Sequence, residues 1–179
     1  MKKIFAIFIC VLLLCGCDNI NNTPIKQVES FFNKYQTLDS DVLDDLDRVI
    51  AEESMFDTLA REEYREVIKD QYKSLTYEIK DEFVEGDEAT VTAEITVKDY
   101  NKVLSEVRAY KNSNISEFQD ESGNYSAVKY SNYVIEKLKD AKDKVTYTVE
   151  LKLTKINDKW TINTLDEETE DKILGIYEY

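Results

Sequence analysis

Histidine is absent from all 179 residues. Its absence removes the commonest general base, the Ser-His and Cys-His nucleophile pairs, and the commonest transition-metal ligand. Cysteine occurs only at Cys10, Cys15 and Cys17, so no disulfide, thiol nucleophile or zinc thiolate can lie beyond them. Proline occurs once, at Pro24, and glycine only at Gly16, Gly86, Gly123 and Gly175, which leaves no Gly-rich loop to cradle a phosphate. Positive charge is also in deficit, 23 Lys and Arg against 37 Asp and Glu, for a net charge of -14. Phosphate backbones attract clustered cations, so nucleic acid is not an expected partner. The acidic runs, Asp39 to Asp47 and Glu167 to Asp171, read as solvated surface, and the first lacks the Gly and closing Glu of a calcium loop. No catalytic residue, metal site or cofactor is expected, because 37 carboxylates single out none of their number.

Long apolar runs are scarce as well. The one at the start, Ile4 to Leu14, follows Lys2-Lys3 and ends in Leu14-Cys15-Gly16-Cys17, the order of a secretory leader. A membrane span needs roughly 20 apolar residues, and this stretch stops short at Asp18, Asn19, Asn21 and Asn22. The tetrad resembles the lipobox of bacterial lipoproteins, with Cys15 departing from the usual Ala, Ser, Thr or Val. The resemblance implies loss of residues 1–16, lipidation of Cys17, residues 17–23 as a tether, and a domain at 24–179 on the extracytoplasmic face of the cell membrane. Acyl chains at about 0.8 kcal/mol per buried methylene would make that attachment durable. No thiol would remain in the domain, whose ~160 residues suffice for one core that buries about two-thirds of the unfolded surface.

Thr23 and Pro24 are a cap and a first helical residue, followed at helical spacing by Ile25, Val28, Phe31, Phe32 and Tyr35. Ser40 is read as the cap of a second helix with Val42, Leu43, Leu46, Val49 and Ile50. A third spans Thr58 to Lys73, with Tyr64, Val67, Ile68 and Tyr72 on one face. From Leu75 the period becomes two, with Tyr77, Ile79 and Phe83 on one side up to the turn pair Gly86-Asp87. Strict alternation follows in Ala89, Val91, Ala93, Ile95 and Val97, and again in Val145, Tyr147, Val149, Leu151 and Leu153. Asn157-Asp158 turns the chain into a last strand with Trp160 and Ile162. An insert at about 99–142 holds two amphipathic helices joined by the polar stretch Asn112 to Ser126, the expected mobile segment. Asp166 caps a final helix that Gly175 stops. The expected fold is α+β: N-terminal helices packed on a curved four-stranded antiparallel sheet, with a two-helix insert between the hairpins.

This order, with Thr23-Pro24, Phe31-Phe32, Leu75-Thr76-Tyr77-Glu78-Ile79, Gly86-Asp87-Glu88-Ala89-Thr90-Val91, Asp158-Lys159-Trp160-Thr161-Ile162 and Ile173-Leu174-Gly175-Ile176-Tyr177, resembles the nuclear-transport-factor-two-like, or cystatin-like, cone domains. It is similar to the small exported lipoproteins of low-GC Gram-positive bacteria that carry that cone. The resemblance implies a site inside the cone, lined here by Tyr77, Ile79, Val91, Ile95, Tyr147, Val149, Leu151 and Trp160. The same residues serve equally as plain core. The expected function is a non-catalytic, membrane-anchored binding or interaction module of the cell envelope. A small-molecule or enzymatic cone using Tyr and carboxylate groups, and an immunity or inhibitor lipoprotein, are the alternatives. Membrane through the lipid anchor and an envelope protein are the expected partners. The outward strand positions, nearly all Thr, Glu and Lys, predict a monomer with respect to the sheet face.

Overall fold

A computed structural model describes residues 22–52 and 58–178. It is an α+β structure: helices α1 (Pro24–Thr37), α2 (Ser40–Glu52) and α3 (Thr58–Ser74), strands β1 (Thr76–Glu85) and β2 (Glu88–Lys98), helices α4 (Tyr100–Ser113) and α5 (Ala127–Lys139), strands β3 (Lys144–Ile156) and β4 (Lys159–Ile162), and helix α6 (Glu167–Leu174). The strands form one antiparallel sheet in the order β1-β2-β3-β4. The leader, Cys17 and most of the tether lie outside the described residues.

The helices begin and end where local chemistry requires. Thr23 accepts a hydrogen bond from the Lys26 amide at 3.2 Å, Ser126 and Asp166 do the same for Lys129 and Thr169, and Gly175 closes α6 at φ 73°. The reading of Ser40 as a cap is corrected: Ser40 lies inside α2, and Asp39 takes the Asp41 amide with its carboxylate and the Leu43 amide with its carbonyl. The shift follows from Leu38, which turns left-handed at φ 54° and points the chain into the next helix one residue early.

Alternation sorts the sheet into two faces. Ala89, Val91, Ala93, Ile95 and Val97 of β2 and Tyr147, Val149, Leu151 and Leu153 of β3 are buried beneath the helices with Val28, Phe32, Val67 and Leu75. The other face is polar: the hydroxyls of Thr96 and Thr146 meet at 2.8 Å, and Lys80 bridges Glu78 and Glu94. In β1 the expected period breaks. A bulge between Ile79 and Asp81 shifts the register, so Val84 pairs with inward Ala89 while Phe83, set beside outward Thr90, is 64% exposed. An unbroken period sets Phe83 on the side of Tyr77 and Ile79, and the bulge moves it to the opposite one. The same slip turns Glu82 toward α1, where its carboxylate accepts the Ile25 amide at the positive helix end.

One junction ties the two halves together. Gln71 of α3 is fully buried and fully bonded: its amide nitrogen donates to the carbonyls of Lys98 and Leu174, and its oxygen accepts the Lys98 amide. Gly175 sits against the same groups so closely that a Cβ there would stand 2.2 Å from the Lys98 carbonyl oxygen. The expected mobile stretch, Asn112 to Ser126, is built instead around Phe118, which is 2% exposed. A 3-10 turn holds Ile115–Phe118, and Asp120 gathers the amides of Ser122 and Asn124.

Candidate functional site

The inner strand residues pack against the helices. Val91 and Ile95 are fully buried, Val149 and Leu151 nearly so, and Tyr77 stacks on Phe32 with ring centres 4.7 Å apart. Ile79 is half-buried against the core, and the Tyr147 hydroxyl reaches the Tyr177 carbonyl at 3.3 Å. Trp160 is 9% exposed, and its backbone amide donates to the Asn22 side chain. All eight belong to the core or pack against it, and none borders the clefts described below.

A cleft of about 370 Å³ lies instead among the helices, where α1, α2, α3 and α6 meet. Its walls are Leu46 and Ile50 from α2, Ile68 and Tyr72 from α3, Tyr35 from α1, and Ile173 and Leu174 from α6. Asp45, Arg48 and Glu170 stand at its mouth, with Arg48 bonded to Asp45 at 3.0 Å. Tyr35 and Tyr72 meet edge to face, ring centres 4.8 Å apart. Tyr72 is 9% exposed, yet neither phenol oxygen has a hydrogen bond among the described residues, so both open into the cleft. Glu170 likewise has no ion pair among the described residues.

The electrostatics follow from this placement. Burial, with Glu170 and Asp45 adding repulsion, pushes the Tyr35 phenol up to about 12. Burial first, then Tyr35, Tyr64, Asp45 and Glu170, pushes Tyr72 upward as well. Both remain neutral phenols at physiological pH. A catalytic acid or base works best near the ambient pH, and these groups are driven away from it.

A second hollow, about 520 Å³ and wider, lies between α4 and α5, lined by Val103, Val107, Tyr110 and Tyr133 and edged by Lys102, Glu106, Lys137 and Asp140. Its rings pack on one another: Tyr110 stacks on Tyr133 at 5.1 Å and Phe118 meets Tyr133 edge-on. Lysines cover the cluster, Lys111 at 4.6 Å from the Tyr130 ring centre and Lys137 at 5.0 Å from that of Tyr133. Among the described residues, no group of three or more His, Cys, Asp and Glu is placed to hold a metal ion, and no helix is long and apolar enough to cross a membrane.

Sequence periodicity pointed to the strands and passed over the helical cleft. Tyr35 and Tyr72 each read as ordinary members of a buried helical stripe, and nothing in either helix alone signals that the two hydroxyls converge.

No protein-family model matches the chain, and no curated protein is similar to it. Among solved structures, the crystal structure of a candidate lipoprotein (ycdA) from Bacillus subtilis is similar at 20% identity and a TM-score of 0.43, over 85% of this chain and 47% of that one. The chain thus spans less than half the length of that protein.

Proposed function

We propose that this chain is a lipid-anchored module of the cell envelope, acting outside the cytoplasmic membrane by binding rather than by catalysis. The observation that carries the anchor is Leu14-Cys15-Gly16-Cys17, placed after a short charged and apolar leader and only six residues before the α1 cap at Thr23 is complete. Asn22 fits a start at that point, since its side chain accepts the Trp160 amide and donates to the Asp158 carbonyl, so the domain is tied down from its first described residue. The helix-backed antiparallel sheet fits the nuclear-transport-factor-two-like plan that the sequence resembles. Inner strand residues packed into the core, and tyrosines held neutral in the helical cleft, favour binding over proton transfer. The polar outer face of the sheet favours a domain that does not pair through it.

The test is Cys17→Ser, expressed with its leader in a Gram-positive host and followed by incorporation of an alkyne-tagged fatty acid. The native chain should take up the label and sediment with membranes after removal of residues 1–16. The variant should take up none and leave the washed membrane fraction. Equal labelling, or equally firm membrane retention of an unprocessed variant, would overturn the anchor.

A further inference from the structure

The geometry points to the cleft between α1, α2, α3 and α6 as a binding site for a small organic cation, an amine carried on an apolar body. The inference deepens the binding reading above and rests on it, but it does not depend on the lipid.

Three observations carry it. First, the volume of about 370 Å³ falls in the ~300–1,000 Å³ range of small-ligand sites, and its floor of Leu46, Ile68 and Ile173 suits an apolar body. Second, the hydroxyl of Tyr72, a residue only 9% exposed, faces this space without a hydrogen bond among the described residues, and that of Tyr35 does the same. The Tyr72 ring is buried while its oxygen opens onto the cleft, where a ligand N–H can donate to it. Third, Glu170 stands at the mouth with no ion pair among the described residues, whereas Asp45 there is already bonded to Arg48.

These features select for charge as well as shape. An ammonium head can donate to the phenol oxygens, lie against the tyrosine ring faces and neutralise Glu170 together. A carboxylate or phosphate head would meet Glu170 with like charge, the charge of Asp45 being offset by Arg48. The upward displacement of the Tyr35 and Tyr72 phenols comes first from burial, with a smaller repulsion from Glu170 and Asp45. It also keeps those oxygens neutral and able to accept.

The test is calorimetric titration of the full chain in nonionic detergent, referenced to detergent alone, with phenethylamine, phenethyl alcohol and 3-phenylpropionate. These probes share an apolar body and differ in the charge of the head. The amine should bind about tenfold more tightly than the alcohol, and the acid least. Tyr72→Phe removes only an oxygen without a hydrogen bond, so its melting temperature should match the native chain while amine affinity falls about tenfold. Glu170→Gln should bring amine and alcohol together, and Lys111→Ala, in the other aromatic cluster, should leave the amine unaffected. An order led by the alcohol or the acid would overturn the cation while sparing a binding role. Amine affinity unchanged in both Tyr72→Phe and Glu170→Gln would overturn the site. No saturable binding of the amine would overturn the proposal and leave the anchor, tested separately at Cys17, standing.

Discussion

The molecule holds two tyrosine-rich regions that differ in what faces the rings. In the insert, Tyr110, Tyr130 and Tyr133 gather around buried Phe118, and Lys111 and Lys137 lie over them. Between α1 and α3, Tyr35 and Tyr72 meet edge to face among aliphatic side chains, and among the described residues no lysine lies over their rings. Both regions bury aromatic surface, so composition does not distinguish them. The first supplies its own cations and is complete as structure. The second leaves phenol oxygens and a carboxylate facing open space, which is the arrangement that a ligand can complete.

That contrast can be broken from either side. The largest effect is expected from Phe118→Ala, which empties the centre of the insert cluster and should cost about 4 kcal/mol in urea unfolding. Hydrogen exchange should accelerate in α4, α5 and their connection, while amine binding in the other cleft persists. Gly175→Ala attacks the opposite region. Its Cβ would collide with the Lys98 carbonyl and the Gln71 amide at a left-handed φ, at a cost of about 3 kcal/mol. Exchange should then rise first in α6, and the α6 wall of the cleft should fail before the insert does.

Alkaline unfolding separates the two regions more finely. The folded Tyr35 phenol is raised above its ordinary value of 10.0 to about 12, so its contribution is fully present below pH 10 and is lost as pH rises from there to 12. The slope approaches ~1.4 kcal/mol per pH unit for one tyrosine. Tyr72 is displaced in the same direction, so Tyr35→Phe and Tyr72→Phe should each flatten the decline in stability measured by denaturant titration between pH 10 and 12. The smallest effect belongs to Lys111→Ala. It removes a half-buried cation over Tyr130 and should lower stability by about 0.5 kcal/mol, read as a small change in urea midpoint. A loss several times larger would mean that the cluster depends on its covering charge.

Much of the backbone was legible because each signal was local. Asn157 and Asp158 adopt φ of 50° and 62° in the tight turn their identities suggest, and the alternation of β2 and β3 maps directly onto buried and exposed faces. The failures have physical causes of the same scale. Lys80 carries no Gly or Pro to mark the bulge, and only the adjacent apolar pair Phe83-Val84, which no alternating strand can bury on one side, hinted that the parity changes. Asp39 and Ser40 are both competent caps, and the left-handed Leu38 decided between them. The helical cleft was illegible for a different reason. Periodicity states which side of one helix is apolar, whereas the meeting of Tyr35, Tyr72 and Glu170 depends on how α1, α3 and α6 dock, and buried Gln71 sets part of that docking through two carbonyls far away in sequence.

The bulge at Lys80 has a consequence for neighbours as well as for register. β1 is the longer of the two edge strands, and an uninterrupted row of free amides and carbonyls along it would invite a second copy to zip on as a fifth strand. A one-residue slip midway, with Lys80 and Asp81 projecting from it, throws any such copy out of step after a few residues. Pairing along β1 is disfavoured by that misfit wherever two copies of the domain meet edge to edge.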